Sequence, residues 1–326
     1  MGTKKDEWEI PHNLQPDPDE YGYDLERALQ AVVGLKSYVP TDAFTADTLG
    51  TERPGSGVVI RETGLIATIG YLVTEAETIW ITTHDGRALQ GHALAYDQES
   101  GFGLVQALGA LNLPSLSLGD SDRPKIGDPL VFAAAGGIRH AIATKLVGRQ
   151  EFAGYWEYVL DEALFIAPAH PFWGGGALIG QDGTLVGTGS LILQQGDGKG
   201  SRLDMNMVVP TGLLGPILND LLTYGRVNRP ARPWLGMYAT EQGETLVVGG
   251  LADGGPAEKA GLHTGDHILA VGDEEVSDLA GLWRRVWASG SAGADVRLRL
   301  KREADTFAVT IRSDDRTSYL KTPRVH

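Results

Sequence analysis

Residues 170–187 read His170-Pro171-Phe172-Trp173-Gly174-Gly175-Gly176-Ala177-Leu178-Ile179-Gly180-Gln181-Asp182-Gly183-Thr184-Leu185-Val186-Gly187. Glycine costs helix stability and tolerates positive φ, so three in a row belong to a turn rather than a helix. Gln181-Asp182-Gly183 is a turn signal and Leu185-Val186 a short strand after it. The same grammar extends outward. Val58-Val59-Ile60, Ile79-Trp80-Ile81 and Leu130-Val131-Phe132 read as strands, and Asp85-Gly86 and Gly119-Asp120 as turns. With 44 glycines in 326 residues, many turns and short strands are favoured over long helices. Closely spaced strands from Leu25 to Val209 predict a pair of β-barrels or sandwiches.

On either side of this section the text changes. Residues 1–24 are rich in proline, acid and amide, and read as an extended arm with Trp8, Tyr21 and Tyr23 as candidate anchors. After Pro210-Thr211, the spacing of Leu213, Leu214, Ile217, Leu218, Leu221 and Leu222 predicts a helix that Gly225 stops. Arg226 to Pro233 carries three arginines and two prolines, and a linker is expected over 226–231. Residues 232–313 read as a compact mixed domain. Leu246-Val247-Val248 and Ile268-Leu269-Ala270-Val271 are strands, and Pro256 to Gly261 is one helical turn. Ser277 and Asp278 can cap a helix bearing Leu279, Leu282, Trp283, Val286 and Trp287. Val296 to Leu300 can pair with Phe307 to Ile311 as a hairpin, and 314–326 is a tail.

Composition excludes several classes of function. A net charge of −14 repels nucleic acid and anionic lipid, so neither is an expected partner. The chain has no cysteine, which removes disulfides, thiolate nucleophiles and thiolate-held metals. No stretch approaches the roughly 18 uncharged apolar residues of a membrane span. The N-terminus as written carries charge instead of a signal-peptide core. A cytoplasmic protein is expected, or a periplasmic one if the start codon is misassigned. His263 and His267 are four apart, but Gly265-Asp266 breaks any helix between them, so no metal and no other cofactor is expected.

Three passages together resemble the HtrA/Deg family of trypsin-like serine proteases. They are Gly55 to Ile60 with Gly64 to Val73; Tyr96-Asp97 to Val105 with Leu118 to Ser121; and the glycine-rich stretch quoted at the outset. The resemblance covers most of residues 26–313. It implies a mainly β chain: a trypsin-like double β-barrel over 25–225, then an α+β PDZ domain over 232–313. In the family a histidine base lies in a stretch like Thr-x-x-His-Val-Val, and here Thr68 to Val73 puts Tyr71 at that position. The orienting aspartate opens a run matched here by Gly101-Phe102-Gly103-Leu104. The serine nucleophile of Gly-Asn-Ser-Gly-Gly-Pro is matched by Gly174.

Such a mechanism needs a hydroxyl nucleophile, an imidazole to take its proton and a carboxylate to orient the imidazole. Gly174 has no side chain, and a phenol with an ordinary pKa of about 10 is a poor base at neutral pH. A pseudoprotease is expected, its old cleft repurposed or closed by Tyr71, Phe172 and Trp173 beside Gly175 and Gly176. Backbone N–H groups of the glycine run remain candidates to hold an anion or carbonyl. One rival is an active endopeptidase using relocated residues. His170 is then the best-placed imidazole and Ser190, expected at a strand end, the nearest serine, while His84-Asp85 lies in a turn.

The tail resembles the PDZ domain of the same family through Arg232 to Met237, Gly255 to Leu262 and Gly265 to Val271. The resemblance implies binding of protein or peptide segments, C-termini included. The Leu235-Gly236-Met237 loop would present N–H groups to a carboxylate, Leu279 and Leu282 would line the side-chain pocket with Leu235 and Met237, and Trp234 would be a further peptide-binding residue. Pro233, lacking an N–H, is expected to stiffen or distort that loop. The leading expectation is a scaffold, adaptor or regulator. A third reading is a structural subunit of an HtrA-like assembly, a homotrimer or hetero-assembly, with Tyr21 and Tyr23 at the contact.

Overall fold

The computed structural model describes residues 8–196, 202–243 and 245–322, and the first seven residues of the arm and the last four of the tail lie outside them. The chain divides into two compact units. The first is built from residues up to 150, 162–227 and from 321 onward; the second from 151–161 and 228–320.

The first unit holds two closed six-stranded barrels. The strands are β1 (Val32–Tyr38), β2 (Glu52–Arg61), β3 (Leu65–Ile69), β4 (Thr78–Thr82), β5 (Ala88–Tyr96) and β6 (Phe102–Ala107), closed in the order β1-β2-β3-β6-β5-β4. The second barrel has β7 (Pro129–Ala133), β8 (Ala141–Gly154), β9 (Tyr158–Ala167), β10 (Ala177–Ile179), β11 (Leu185–Gly196) and β12 (Arg202–Pro210), closed as β10-β11-β12-β9-β8-β7. Strand alternation explains which way each segment faces: in β4, Ile79 and Ile81 are buried and Trp80 points outward. Closure leaves no unpaired edge within a barrel.

Short helices serve the barrels. They are α1 (Leu25–Leu29), α2 (Ala46–Leu49) and α3 (Leu218–Tyr224). Asp24 caps α1 by accepting from the Arg27 N–H at 2.9 Å. The single helix expected after Pro210 is instead a 3-10 turn, Thr211–Leu213, followed by α3. Gly215-Pro216 intervenes, and Pro216 cannot donate to the helical ladder. Gly225 does end α3, in the left-handed conformation. The described part of the arm is not simply extended. It makes two 3-10 turns, and Ile10 is buried in the second barrel's core with Leu130, Phe132 and Leu164. Tyr21 and Tyr23 pair their rings at 5.7 Å, and Tyr23 lies against Gly183.

The second unit is a six-stranded sheet with two helices. β13 (Met237–Gln242), β14 (Thr245–Leu251), β15 (His267–Val271), β17 (Asp295–Arg302) and β18 (Asp305–Arg312) lie in that order, and β16 (Glu274–Glu275) pairs with β15. α4 is Pro256–Lys259 and α5 is Leu279–Ala288. The Asp278 carboxylate caps α5, accepting from the Gly281 N–H at 2.7 Å. Val296, Leu298 and Leu300 of β17 point into the core with Trp283 and Val286 of α5.

Candidate functional site

Two places carry the residues singled out in the sequence. The first is an open cleft of about 500 Å³ in the first unit, lined by Gly55, Tyr71, His140, Phe172, Trp173 and Gly174 among others. Tyr71 sits on a 3-10 turn after β3, and Gly174 on the loop between β9 and β10. The fold brings the two together: a Cβ built on residue 174 would stand 2.8 Å from the Tyr71 hydroxyl. That hydroxyl donates to the Ser190 carbonyl at 3.0 Å. Burial pushes the Tyr71 phenol above its ordinary value, so it keeps its proton at any physiological pH.

The glycine loop is fixed by its own backbone. Gly175 donates to the Gly189 carbonyl at 2.9 Å, and Gly176 to the Trp173 carbonyl at 3.1 Å. The Gly174 carbonyl accepts from Ser56 at 2.8 Å. Gly175 has φ +76°, and a Cβ there would lie 1.9 Å from the Ser56 carbonyl oxygen, so only glycine fits. The expectation that the N–H groups of this run are available to an anion is corrected for Gly175 and Gly176, which spend theirs within the loop.

Gly101 does not line the cleft. Its carbonyl accepts from the Gly70 N–H at 2.7 Å, and its own N–H donates to the Asp97 carbonyl. Its φ of +83° suits glycine and strains a side chain. The aromatics do not close the cleft either. Phe172 is exposed, and its ring meets Trp8 of the arm edge-on at 4.7 Å. Trp8 also stacks on His140 at 5.8 Å.

The relocated pair is not assembled. His170 is fully buried, its Nδ1 accepting from the Phe172 N–H at 3.0 Å and its Nε2 donating to the His140 carbonyl at 3.2 Å. A backbone N–H can only donate and a carbonyl only accept, so the ring is held as one neutral tautomer. Asn206 clamps its backbone through two further hydrogen bonds. Burial pushes the His170 imidazole down to about 4. Ser190 is not at a strand end. It lies inside β11, at the bulge between Gly189 and Leu191, with its side chain buried.

The second place is the loop into β13. The N–H groups of Leu235, Gly236 and Met237 converge on one carboxylate, at 2.8–3.2 Å. Gly236 with φ +69° makes that turn. The carboxylate is Glu157, a residue that sequence reading did not single out. Pro233 is buried, and the three N–H groups that follow it converge on this one carboxylate. Trp234 is corrected as a groove residue: its N–H goes to the Asp314 carbonyl at 3.0 Å and its ring packs on Tyr319. Leu235, Met237 and Leu282 are fully buried, and Leu279 nearly so. Burial raises the Glu157 carboxyl to about 7, against the pull of the three N–H groups and the Arg316 charge. Among the described residues no group of three or more His, Cys, Asp or Glu side chains could hold a metal.

Known proteins match both places. A trypsin-like peptidase domain model matches residues 55–187, and a PDZ domain model matches 233–312. A probable periplasmic serine endoprotease, DegP-like, of Chlamydia trachomatis is 28% identical over 273 residues, covering 79% of this chain and 53% of the relative. The periplasmic pH-dependent serine endoprotease DegQ of Escherichia coli is 25% identical over 289 residues, with 82% and 60% covered. The chain spans about half the length of the curated relatives it matches. The HtrA-type protease AlgW with decapeptide shares the fold at TM-score 0.53 and 21% identity, over 92% of this chain and 98% of that one. A serine endoprotease from Yersinia pestis does so at TM-score 0.51 and 23% identity, over 89% and 96%. The fold class is thus that of a trypsin-like β domain followed by a PDZ domain. The chain carries the domain pair of the HtrA/DegP family, with one PDZ domain. No helix among the described residues is long and apolar enough to cross a membrane.

Proposed function

We propose that this chain is a non-hydrolysing HtrA-type protein that binds protein or peptide segments through its PDZ domain, as scaffold, adaptor or regulator. One observation carries the reading. The Tyr71 hydroxyl occupies the space beside residue 174 where a nucleophile and its base would have to meet, and neither group is present. Tyr71 keeps its proton, Gly174 offers none to remove, and Gly101 supplies no carboxylate. Acyl transfer needs all three functions within hydrogen-bond reach. The locked tautomer of His170 speaks against a relocated base. The converging N–H groups of Leu235, Gly236 and Met237 support a carboxylate-bearing peptide as the ligand class.

Hydrolysis of casein and of a fluorogenic peptide library tests this, with Gly174→Ser/Tyr71→His/Gly101→Asp measured beside the natural chain. The expected result is no turnover by the natural chain above buffer. Turnover by the natural chain that survives further purification overturns the proposal.

A further inference from the structure

The three N–H groups of the PDZ loop hold a carboxylate that comes from the chain itself. Leu235 donates to both Glu157 oxygens, at 3.1 and 3.2 Å, and Gly236 and Met237 donate to Oε1 at 2.8 and 3.1 Å. The residues before Glu157 continue the likeness to a bound peptide. β13 is the edge strand of its sheet, and the Ala239 N–H donates outward to the Tyr155 carbonyl at 3.0 Å, as to an added strand. The Trp283 indole donates to the Gly154 carbonyl at 2.9 Å. Val159 joins the cluster of Leu235, Met237, Leu279 and Leu282, and Ala153 packs against it.

The backbone is bent to present this group. Glu157 has φ +58°, which costs a residue with a Cβ and persists only where surroundings enforce it. Arg284 of α5 holds both flanks, pairing with Glu151 and Asp161. A surface turn would leave a carboxylate in water. Here it is buried, and burial is tolerable only against a full set of donors.

We propose that Gly154–Glu157 is an internal ligand of the PDZ groove, and that a partner's free C-terminal carboxylate binds by displacing Glu157 from Leu235, Gly236 and Met237. This rests on the reading of the second unit as a peptide-binding module. It adds that the module is closed until a competitor or a change in the 151–161 segment opens it. Apparent affinity is then the intrinsic affinity reduced by the fraction of open groove.

The test uses the full chain, as natural protein, Glu157→Ala and Glu157→Gly. Both variants remove the carboxylate, and the glycine also accepts the positive φ, so a folded variant is secured. Fluorescent decapeptides ending in Val, Leu or Phe are titrated with free and with amidated C-termini. Both variants are expected to bind the free-carboxylate peptides at least about tenfold tighter than the natural chain, and the amides not at all. Amide exchange at Leu235, Gly236 and Met237 should rise in the variants. Equal affinity for natural chain and variants overturns self-occupancy while leaving peptide binding intact. Faster exchange with no peptide bound by any form overturns the peptide-binding reading, and this inference with it.

Discussion

A side chain on residue 174 would press its Cβ to 2.8 Å from the Tyr71 hydroxyl, so the two positions constrain each other. Gly174→Ser alone is expected to lower stability by about 1–3 kcal/mol, as overpacking does. Adding Tyr71→His should recover most of that loss, a coupling that a double-mutant cycle by urea unfolding reads directly. Strict additivity would show that the two positions do not touch. Glu157 sets a pH dependence. Its folded value of about 7 exceeds the ordinary 4.5, so the folded state binds the proton more tightly than the unfolded one. Stability contributed by the protonated form is complete below about pH 4.5 and is lost as pH rises through about 7, by on the order of 3 kcal/mol. The facing groups are the N–H donors of Leu235, Gly236 and Met237 and the Arg316 guanidinium. Unfolding of the second unit followed between pH 4.5 and 8 should show this loss, and Glu157→Gln should flatten it. A natural chain with no slope in that window would mean the carboxyl titrates normally.

At the scale of elements, the arm and the glycine loop owe their form to contacts distant in sequence. Ile10 is buried among Leu130, Phe132 and Leu164, and its N–H donates to the Arg139 carbonyl at 2.9 Å. Ile10→Ala is expected to cost about 2–5 kcal/mol, because the barrel strands cannot collapse onto the vacated space. Chemical denaturation measures it, and a cost under 0.5 kcal/mol would show that the arm is dispensable to the barrel. Much of this level was legible beforehand. The strand at Ile79 to Ile81, the helix capped by Asp278 and the hairpin of β17 with β18 follow from local periodicity and capping chemistry. The helix after Pro210 was not, because leucine spacing outweighed the Gly215-Pro216 interruption. The position of Ser190 inside β11 is likewise not legible, because nothing local announces the bulge there.

The molecule as a whole has two compact units, each with its own buried core. Separate cores unfold as separate cooperative units, so calorimetry is expected to show more than one transition. Glu157→Gly should shift only the transition of the second unit, since residues 151–161 belong to it. A shift of both would show one cooperative body. The sequence by itself determined the barrels, the PDZ sheet, and the absence of serine, imidazole and carboxylate at Gly174, Tyr71 and Gly101. These are written in local patterns and in motifs read along the chain. Tertiary structure alone decided that Tyr71 meets Gly174, that His170 is locked by Phe172 and Asn206, and that the PDZ loop already grips Glu157. Each joins groups far apart in the chain, and a hydrogen-bond donor carries no mark in sequence of which distant acceptor it will find.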